Sequence, residues 1–446
     1  MAPKAVKILV VAGALALATL SLAPRDAQAV PSYSRQTGLN CETCHTVAPQ
    51  LTPFGRYFKM NGYVLSNNTL SPSNPGKKTP KESIGKFPPI SAMILVSDTV
   101  LKQSAPGAQN STVAFPDQLS LFYAGRIASH LGSFAQITYT EADNRFSLDN
   151  TDVRYANTAK LGGKSVVWGL TLNNNPTIED PWNSTPAWGF PYLGSDNAPG
   201  PDWGPQIMDL GGTVAGLGAY AWFDGSVYAG VSLYRSSQIG NPQPVDSTST
   251  NVISNVAPYW RLAWEHNWST GGNFTHSFEV GTFGMSQHVY PGDGQPLSGA
   301  TDNYTDYGLD AQYQLLTPGR DSLTVHGMLI HEKQTLDATD PAQPDNHLNT
   351  FAVNAQYFWH ETYGPSLGYF RTNGNSNPLV YQDSRTNSPD SSGWIVQWTY
   401  LPAANVQLGA QYTLYDKFDG SSSNYDGSGR SASDNDTLYM FAWFLF

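Results

Sequence analysis

The chain has 446 residues, a formal net charge of −11, 13% charged residues and 12% aromatic residues. After the N-terminal apolar run there is no stretch of about 18 apolar residues, which excludes a bundle of membrane-spanning helices, and the acidic balance offers no surface for nucleic acid. Few charges, many Tyr and Trp, and a background of Gly, Asn, Ser and Thr are also wrong for an ordinary soluble protein and suit a β-barrel whose outer face meets lipid.

Lys4 and Lys7 precede an apolar run from Ile8 to Leu22, which leads to the small-residue site Ala27-Gln28-Ala29. This is the pattern of a secretory signal peptide over residues 1–29, since the run is shorter than the roughly 20 residues a spanning helix needs. Removing Lys4, Lys7, Arg25 and Asp26 takes the net charge from −11 to −13. Between Val30 and Pro88 seven basic residues face only Glu42 and Glu82, a balance of +5 that leaves −18 on the rest. A basic head on an acidic body is read either as solvated faces that simply differ or as docking of the head against an acidic surface or lumen.

Both cysteines lie in Cys41-Glu42-Thr43-Cys44-His45. This CxxCH spacing is that of c-type haem attachment: two thiols two residues apart reach the two vinyl groups of one porphyrin, and the adjoining imidazole ligates the iron. A thioredoxin-like pair would need a βαβ context, and half a zinc site would need more Cys or His than the segment from Thr46 to Ser129 contains. Cys41 and Cys44 are therefore the expected haem-binding residues, and His45 the expected iron ligand. Thr52 and Pro53 mark a helix start, and Leu51, Phe54 and Phe58 are placed to cover a porphyrin face. Met60, in the same module, and Met93, near the start of the first strand with Ser91 and Ser97 on its side, are the candidates for a distal ligand. Val30 to Leu65 is 36 residues, too few to bury a core alone, so the module needs support from the barrel lumen. Ser66 to Pro89, rich in Pro, Ser, Asn and Lys, reads as a tether.

From residue 90 to 446 the chain breaks into short segments of period two. Leu309, Ala311, Tyr313 and Leu315 alternate with Asp310, Gln312 and Gln314. Val406, Leu408, Ala410, Tyr412 and Leu414 alternate with Gln407, Gly409, Gln411 and Thr413, and Trp260, Leu262 and Trp264 with Arg261, Ala263 and Glu265. Apolar-out, polar-in alternation marks membrane strands around a wet or plugged lumen, although a soluble sandwich alternates too. About sixteen strands are expected, beginning near Ile90, Gln118, Ser133, Leu148, Lys164, Leu210, Ser226, Ala257, Phe274, Asn303, Ser322, Asn349, Tyr363, Gly393, Asn405 and Asn435. Short turns alternate with long loops, the pattern of periplasmic turns and external loops. The loop from Asn174 to Met208 holds Glu179, Asp180, Asp196 and Asp202 with no Lys or Arg, which reads as an acidic, cation-concentrating mouth or simply as a solvated loop. Its Trp182 and Trp188, with Trp203, suggest that it folds back. The last segment, Thr437 to Phe446, is an aromatic-rich strand closing on Phe. His326 and His331, on one strand, read as lumen or interface residues.

The block Val30-Pro31-Ser32-Tyr33-Ser34-Arg35-Gln36-Thr37-Gly38, followed by Cys41 to His45 and then Pro49 to Tyr63, resembles the fused monohaem cytochrome–porins of iron-oxidising bacteria. The resemblance implies an all-β outer-membrane antiparallel barrel of about sixteen strands with a small α-helical N-terminal c-type haem module. It also implies an electron-transfer role as an Fe(II)-oxidising cytochrome, with Fe(II) as donor and a periplasmic c-type cytochrome as acceptor, in the bacterial outer membrane. Its site residues carry over only to Cys41, Cys44 and His45. The alternative is a diffusion porin with a structural or redox-gating haem plug, which the polar Asp310, Gln312 and Gln411 fit equally well.

Overall fold

The computed structural model describes residues 30–65 and 89–446, apart from 105, 106, 108, 143, 238–244, 246–248, 293–296 and 383. The expected signal peptide, and all of the expected tether except Pro89, lie outside the described residues. Sixteen strands form one antiparallel sheet in which each strand pairs with its neighbours in the chain, and β1 pairs with β16 to close it. They are β1 Ile90–Leu101, β2 Thr112–Ala128, β3 Leu131–Thr140, β4 Arg145–Leu161, β5 Lys164–Asn173, β6 Val214–Phe223, β7 Val227–Ser236 and β8 Ala257–Thr270. The second half comprises β9 Phe274–Val289, β10 Asp302–Leu316, β11 Ser322–Thr335, β12 Asp345–Phe358, β13 Tyr363–Gly374, β14 Ser391–Ala403, β15 Val406–Lys417 and β16 Thr437–Leu445. Closure removes every free edge, which excludes the soluble sandwich.

The period-two pattern explains the strands and their orientation. On β10 Tyr307 and Leu309 are each 56% exposed on the outside, whereas Asp310 between the strands' inner faces is 3% exposed. On β8 Trp260, Leu262 and Trp264 face out, while Arg261 and Glu265 face in. Apolar groups outside and charges inside are the reverse of a soluble protein and belong to a barrel bathed in lipid. The largest departure from the expected boundaries is β2, which starts at Thr112 rather than near Gln118. Pro116, which cannot donate to a ladder, reads as a break in sequence. The structure carries the strand past it through a shift of register between Leu95 and Ser97 of β1.

Turns at one end are short, as at 129–130, 162–163 and 404–405, and loops at the other are long, as at 174–213, 375–390 and 418–436. Both Ile90 and the C-terminal Phe446 lie at the short-turn end, where Phe446 and Ala92 exchange backbone hydrogen bonds of 2.8 and 2.7 Å. Residues 30–65 fill the lumen from that side, with three helices: α1 Pro31–Thr37, α2 Cys41–Cys44 and α3 Pro53–Met60. The 174–213 loop folds into the lumen to meet them, so that Trp182 is 1% exposed. Its Glu179 and Asp180 are fully buried there. They do not line an open acidic mouth, which corrects the sequence expectation for these two residues.

Candidate haem-binding site

The Cys41–His45 motif is one helical turn, closed by a 2.9 Å hydrogen bond from the His45 backbone N–H to the Cys41 carbonyl. Thr52 ties the next helix onto it. Its backbone N–H donates to the Cys44 carbonyl (2.9 Å) and its hydroxyl to the Thr43 carbonyl (2.6 Å). The same Thr52 oxygen accepts from the Gly55 N–H at 3.1 Å, the expected N-cap of α3, with Pro53 at the first helical position. Gly55 permits the close packing: a Cβ there would stand 2.2 Å from the Cys44 carbonyl oxygen. On the other side, α1 is pinned to the wall by Ser32 donating to the Ala124 carbonyl (2.8 Å) and Tyr33 to the Ser133 carbonyl (2.6 Å).

The basic residues of α3 anchor the module. Arg56, fully buried, donates to Glu265 at 2.6 Å, to Ser277 at 2.7 Å and to the Leu51 carbonyl at 2.8 Å. Lys59 donates to the Asp180 carbonyl at 2.6 Å and to Asn183 at 3.0 Å, and Tyr63 donates to Asp152 at 2.7 Å. Trp182 completes the second oxygen of Glu265 at 2.9 Å. Burial, with Arg154 nearby, pulls the Lys59 ammonium down to about 7. Burial likewise pushes the Glu179 carboxyl up to about 7, against the pull of Ser232 and Arg154. Two of the basic residues of the head, Arg56 and Lys59, are thus engaged inside the lumen. Sequence reasoning did not find the partners Glu265, Asp180 and Asn183, because nothing local marks them.

Beside this anchor, and lined in part by Lys59, Tyr63 and Asn183, a cavity of about 510 Å³ opens between the module and the wall. Cys44, His45, Leu51 and Phe58 line it from the module, Met93, Phe122, Phe134 and Trp443 from the wall, and Trp188 and Leu193 from the inward loop. A second cavity of about 490 Å³ opens at the short-turn rim, lined by Cys41, His45, Arg320 and His360. His45 stands between the two, with Cys44 on the inner and Cys41 on the outer. The size and mostly apolar lining are those of a site for a cofactor-sized molecule.

The donor set fits a c-type haem. His45 Nδ1 lies 3.1 Å from the Gln50 carbonyl, which can only accept, so Nδ1 carries the proton and Nε2 keeps the lone pair with which it would ligate a haem iron. Burial pulls the imidazole down to about 4, which keeps it neutral, the form in which it would ligate a metal. Burial pushes the Cys44 thiol up to about 11 and the Cys41 thiol, with Glu42 beside it, up to about 12. Thiols held protonated are poor nucleophiles, which weighs against a thioredoxin-like pair. Among the described residues no group of three or more His, Cys, Asp or Glu is placed to hold a metal, so no zinc site is completed around them.

The structure separates the remaining candidates. Met93 faces inward with Ser91 and Ser97, as expected, and lies on the inner cavity. Met60 is fully buried elsewhere, packed with Val167, Trp182, Tyr220 and Tyr228. Leu51 and Phe58 reach the cavity and Phe54 does not. His326 points into the lumen and pairs with Gln312 at 2.7 Å, whereas His331 faces outward and pairs with Asn349 at 2.8 Å, so the two share no site.

No protein-family model matches the chain, and no curated protein is similar to it. Among solved structures it is similar to the Salmonella typhi OmpF complex with daunomycin (14% identity, 80% of this chain and 97% of that one, TM-score 0.48). It is also similar to an anion-selective porin from Comamonas acidovorans (12% identity, 80% and 98%, TM-score 0.46) and to the outer membrane channel DcaP of Acinetobacter baumannii (11% identity, 80% and 96%, TM-score 0.43). These are likenesses of general barrel shape and say nothing about what this chain binds. By its own closed sheet of sixteen strands, apolar exterior and charged lumen, the chain is a porin-like β-barrel protein of the bacterial outer membrane.

Proposed function

We propose that this protein passes electrons across the outer membrane, from Fe(II) on the outside to a c-type cytochrome in the periplasm, by way of a haem held at Cys41, Cys44 and His45. The observation that carries this reading is the position of the CxxCH turn. It is seated inside the lumen, between an apolar inner cavity and a second cavity open to the short-turn, periplasmic rim. A covalently bound haem would supply one-electron redox chemistry there. The chain's own residues do the rest. Gln50 orients His45, Leu51, Phe58, Phe122 and Phe134 keep water from the inner face, and Arg56 and Lys59 hold the module in place. No general acid, base or nucleophile is required.

The second reading, a diffusion porin with a structural or redox-gating haem plug, has the sixteen-stranded barrel in its favour. The polar residues it would use are engaged inside the lumen. Asp310 pairs with Arg261 and Ser184, Gln312 with His326, and Gln411 with the Leu193 carbonyl. The test is the absorption spectrum of outer membranes from cells able to mature c-type cytochromes, before and after Fe(II). Prompt reduction of the haem band supports electron transfer. A haem reduced by dithionite and indifferent to Fe(II) removes Fe(II) as donor, and liposomes that swell rapidly in sugar favour the porin.

A further inference from the structure

We propose that the long-loop half of the lumen contains a binding site for a hard divalent cation, formed by Asp306, Glu332 and the side-chain amide of Gln287. Asp306 on β10 and Glu332 on β11 are directly opposite each other in the antiparallel register, and both side chains point inward and are fully buried. Like charges directly opposite are destabilising on any sheet, and burial without a counter-charge adds the cost of desolvation. Among the described residues no ion pair reaches either carboxylate. Arg261 is engaged by Asp180, Glu279 and Asp310, and Lys333, next to Glu332 in the chain, faces outward.

Two buried oxygens at this place have no partner. One is Asp306 Oδ1. The other is Oε1 of Gln287, on β9, itself fully buried. The amide of Gln287 lies against Asp306, making only a long 3.4 Å contact from Nε2 to Asp306 Oδ2. Glu332 is positioned by Gln334, which donates to Oε1 at 2.6 Å, and by the Gln206 backbone N–H, which donates to Oε2 at 2.5 Å. Two facing carboxylates, with the Gln287 amide turned over so that its carbonyl takes the place of Nε2 beside Asp306, make an oxygen-only donor set in which Gln334 and Gln206 hold the oxygens of Glu332 in place. Such sets select hard cations of the Mg²⁺, Ca²⁺ and Mn²⁺ kind. The cation would supply the positive charge that the surrounding protein does not. With two carboxylates rather than three ionisable ligands, water completes the coordination, and the affinity is modest, roughly 10⁻⁵–10⁻³ M.

The single turn Gln206–Met208 covers the site, and the next residue, Asp209, is exposed and its charge acts on both carboxylates. The site goes beyond electron transfer and does not depend on it. The alternative occupant is a proton shared between the two carboxylates.

The experiment is a Mn²⁺ titration of the detergent-purified, haem-loaded full chain after a chelator wash, read by electron paramagnetic resonance of free Mn²⁺. One Mn²⁺ per chain is expected to bind, with a dissociation constant of roughly 10⁻⁵–10⁻³ M that rises about tenfold or more in E332Q and in D306N. Gel mobility of unheated samples reports that each variant barrel is closed, and E332Q, which keeps the shape of the side chain, serves if D306N fails to assemble. Absence of Mn²⁺ binding by the wild-type chain overturns the proposal in favour of a shared proton. Equal Mn²⁺ binding by wild type and E332Q overturns it in favour of a site elsewhere.

Discussion

The wall made by β8, β9 and β10 and the wall made by β1, β2, β3 and β16 enclose one lumen with different chemistry. The first presents Arg261, Glu265, Glu279 and Asp310, all buried, and takes the basic face of α3 through Arg56. The second presents Met93, Leu95, Phe122, Phe134 and Phe441 and meets α1 with the ring of Tyr33. Charged groups have preferred partners and fix orientation, whereas apolar groups accept many arrangements. The first wall therefore decides how the module is turned. The second is left with the cavity beside Cys44 and His45. The cavity beside the CxxCH turn lies on the apolar side because the charged side holds the module there.

That comparison breaks most visibly if Arg56 is removed. Arg56→Ala leaves Glu265 buried without its cation, and stripping one partner from a buried pair costs about 3–5 kcal/mol. The expected result is release of the module from the lumen, read as trypsin cleavage within residues 30–65 in purified barrels and as increased ion conductance in planar bilayers. An Arg56→Ala barrel that stays closed to both probes would show that the charged wall is not the anchor. Deleting residues 30–65 should give the conductance of the fully released state.

What could be read beforehand follows the range of the interactions. Alternation on β8 and β10, the Thr52–Pro53 helix start and the inward face of Met93 are local patterns, and the structure agrees with each. The seating of basic α3 residues against an acidic lumen was legible as a sum of charge but not as pairs. Arg56 and Glu265 are 209 residues apart and no periodicity connects them. Glu179 and Asp180 were misread for the same reason. A loop without basic residues looks like a solvated mouth until Lys59, Arg154 and Arg261 arrive from elsewhere in the chain. The cavity itself is a property of packing that no segment encodes.

The apolar wall supplies the next test. Met93 lies on the cavity and Met60 behind the anchor, so their equivalent substitutions should separate. Met93→Leu is expected to change the visible spectrum of the bound haem with little loss of stability. Met60→Leu is expected to leave the spectrum alone and cost less than about 1.5 kcal/mol, the usual limit for such a swap in a packed core. The reverse pattern, a spectrum sensitive to Met60 alone, would mean that the haem is seated on the other side of α3 and that the apolar wall is not its pocket.

The smallest effect is expected at the rim. Arg320 bridges Glu42 of α2, at 3.1 Å, and Glu361, at 2.6 Å, but its side chain is 60% exposed. An ion pair in that setting contributes at most about 1 kcal/mol and is screened by salt. Arg320→Ala should therefore raise the rate of module release slightly at low ionic strength and not at all at high ionic strength, measured by the same trypsin assay. Arg56→Ala, whose pair is shielded from solvent, should release the module at both. If Arg320→Ala proved as damaging as Arg56→Ala, the module would be hung from the rim rather than held in the lumen. Its cavity would then owe nothing to the contrast between the two walls.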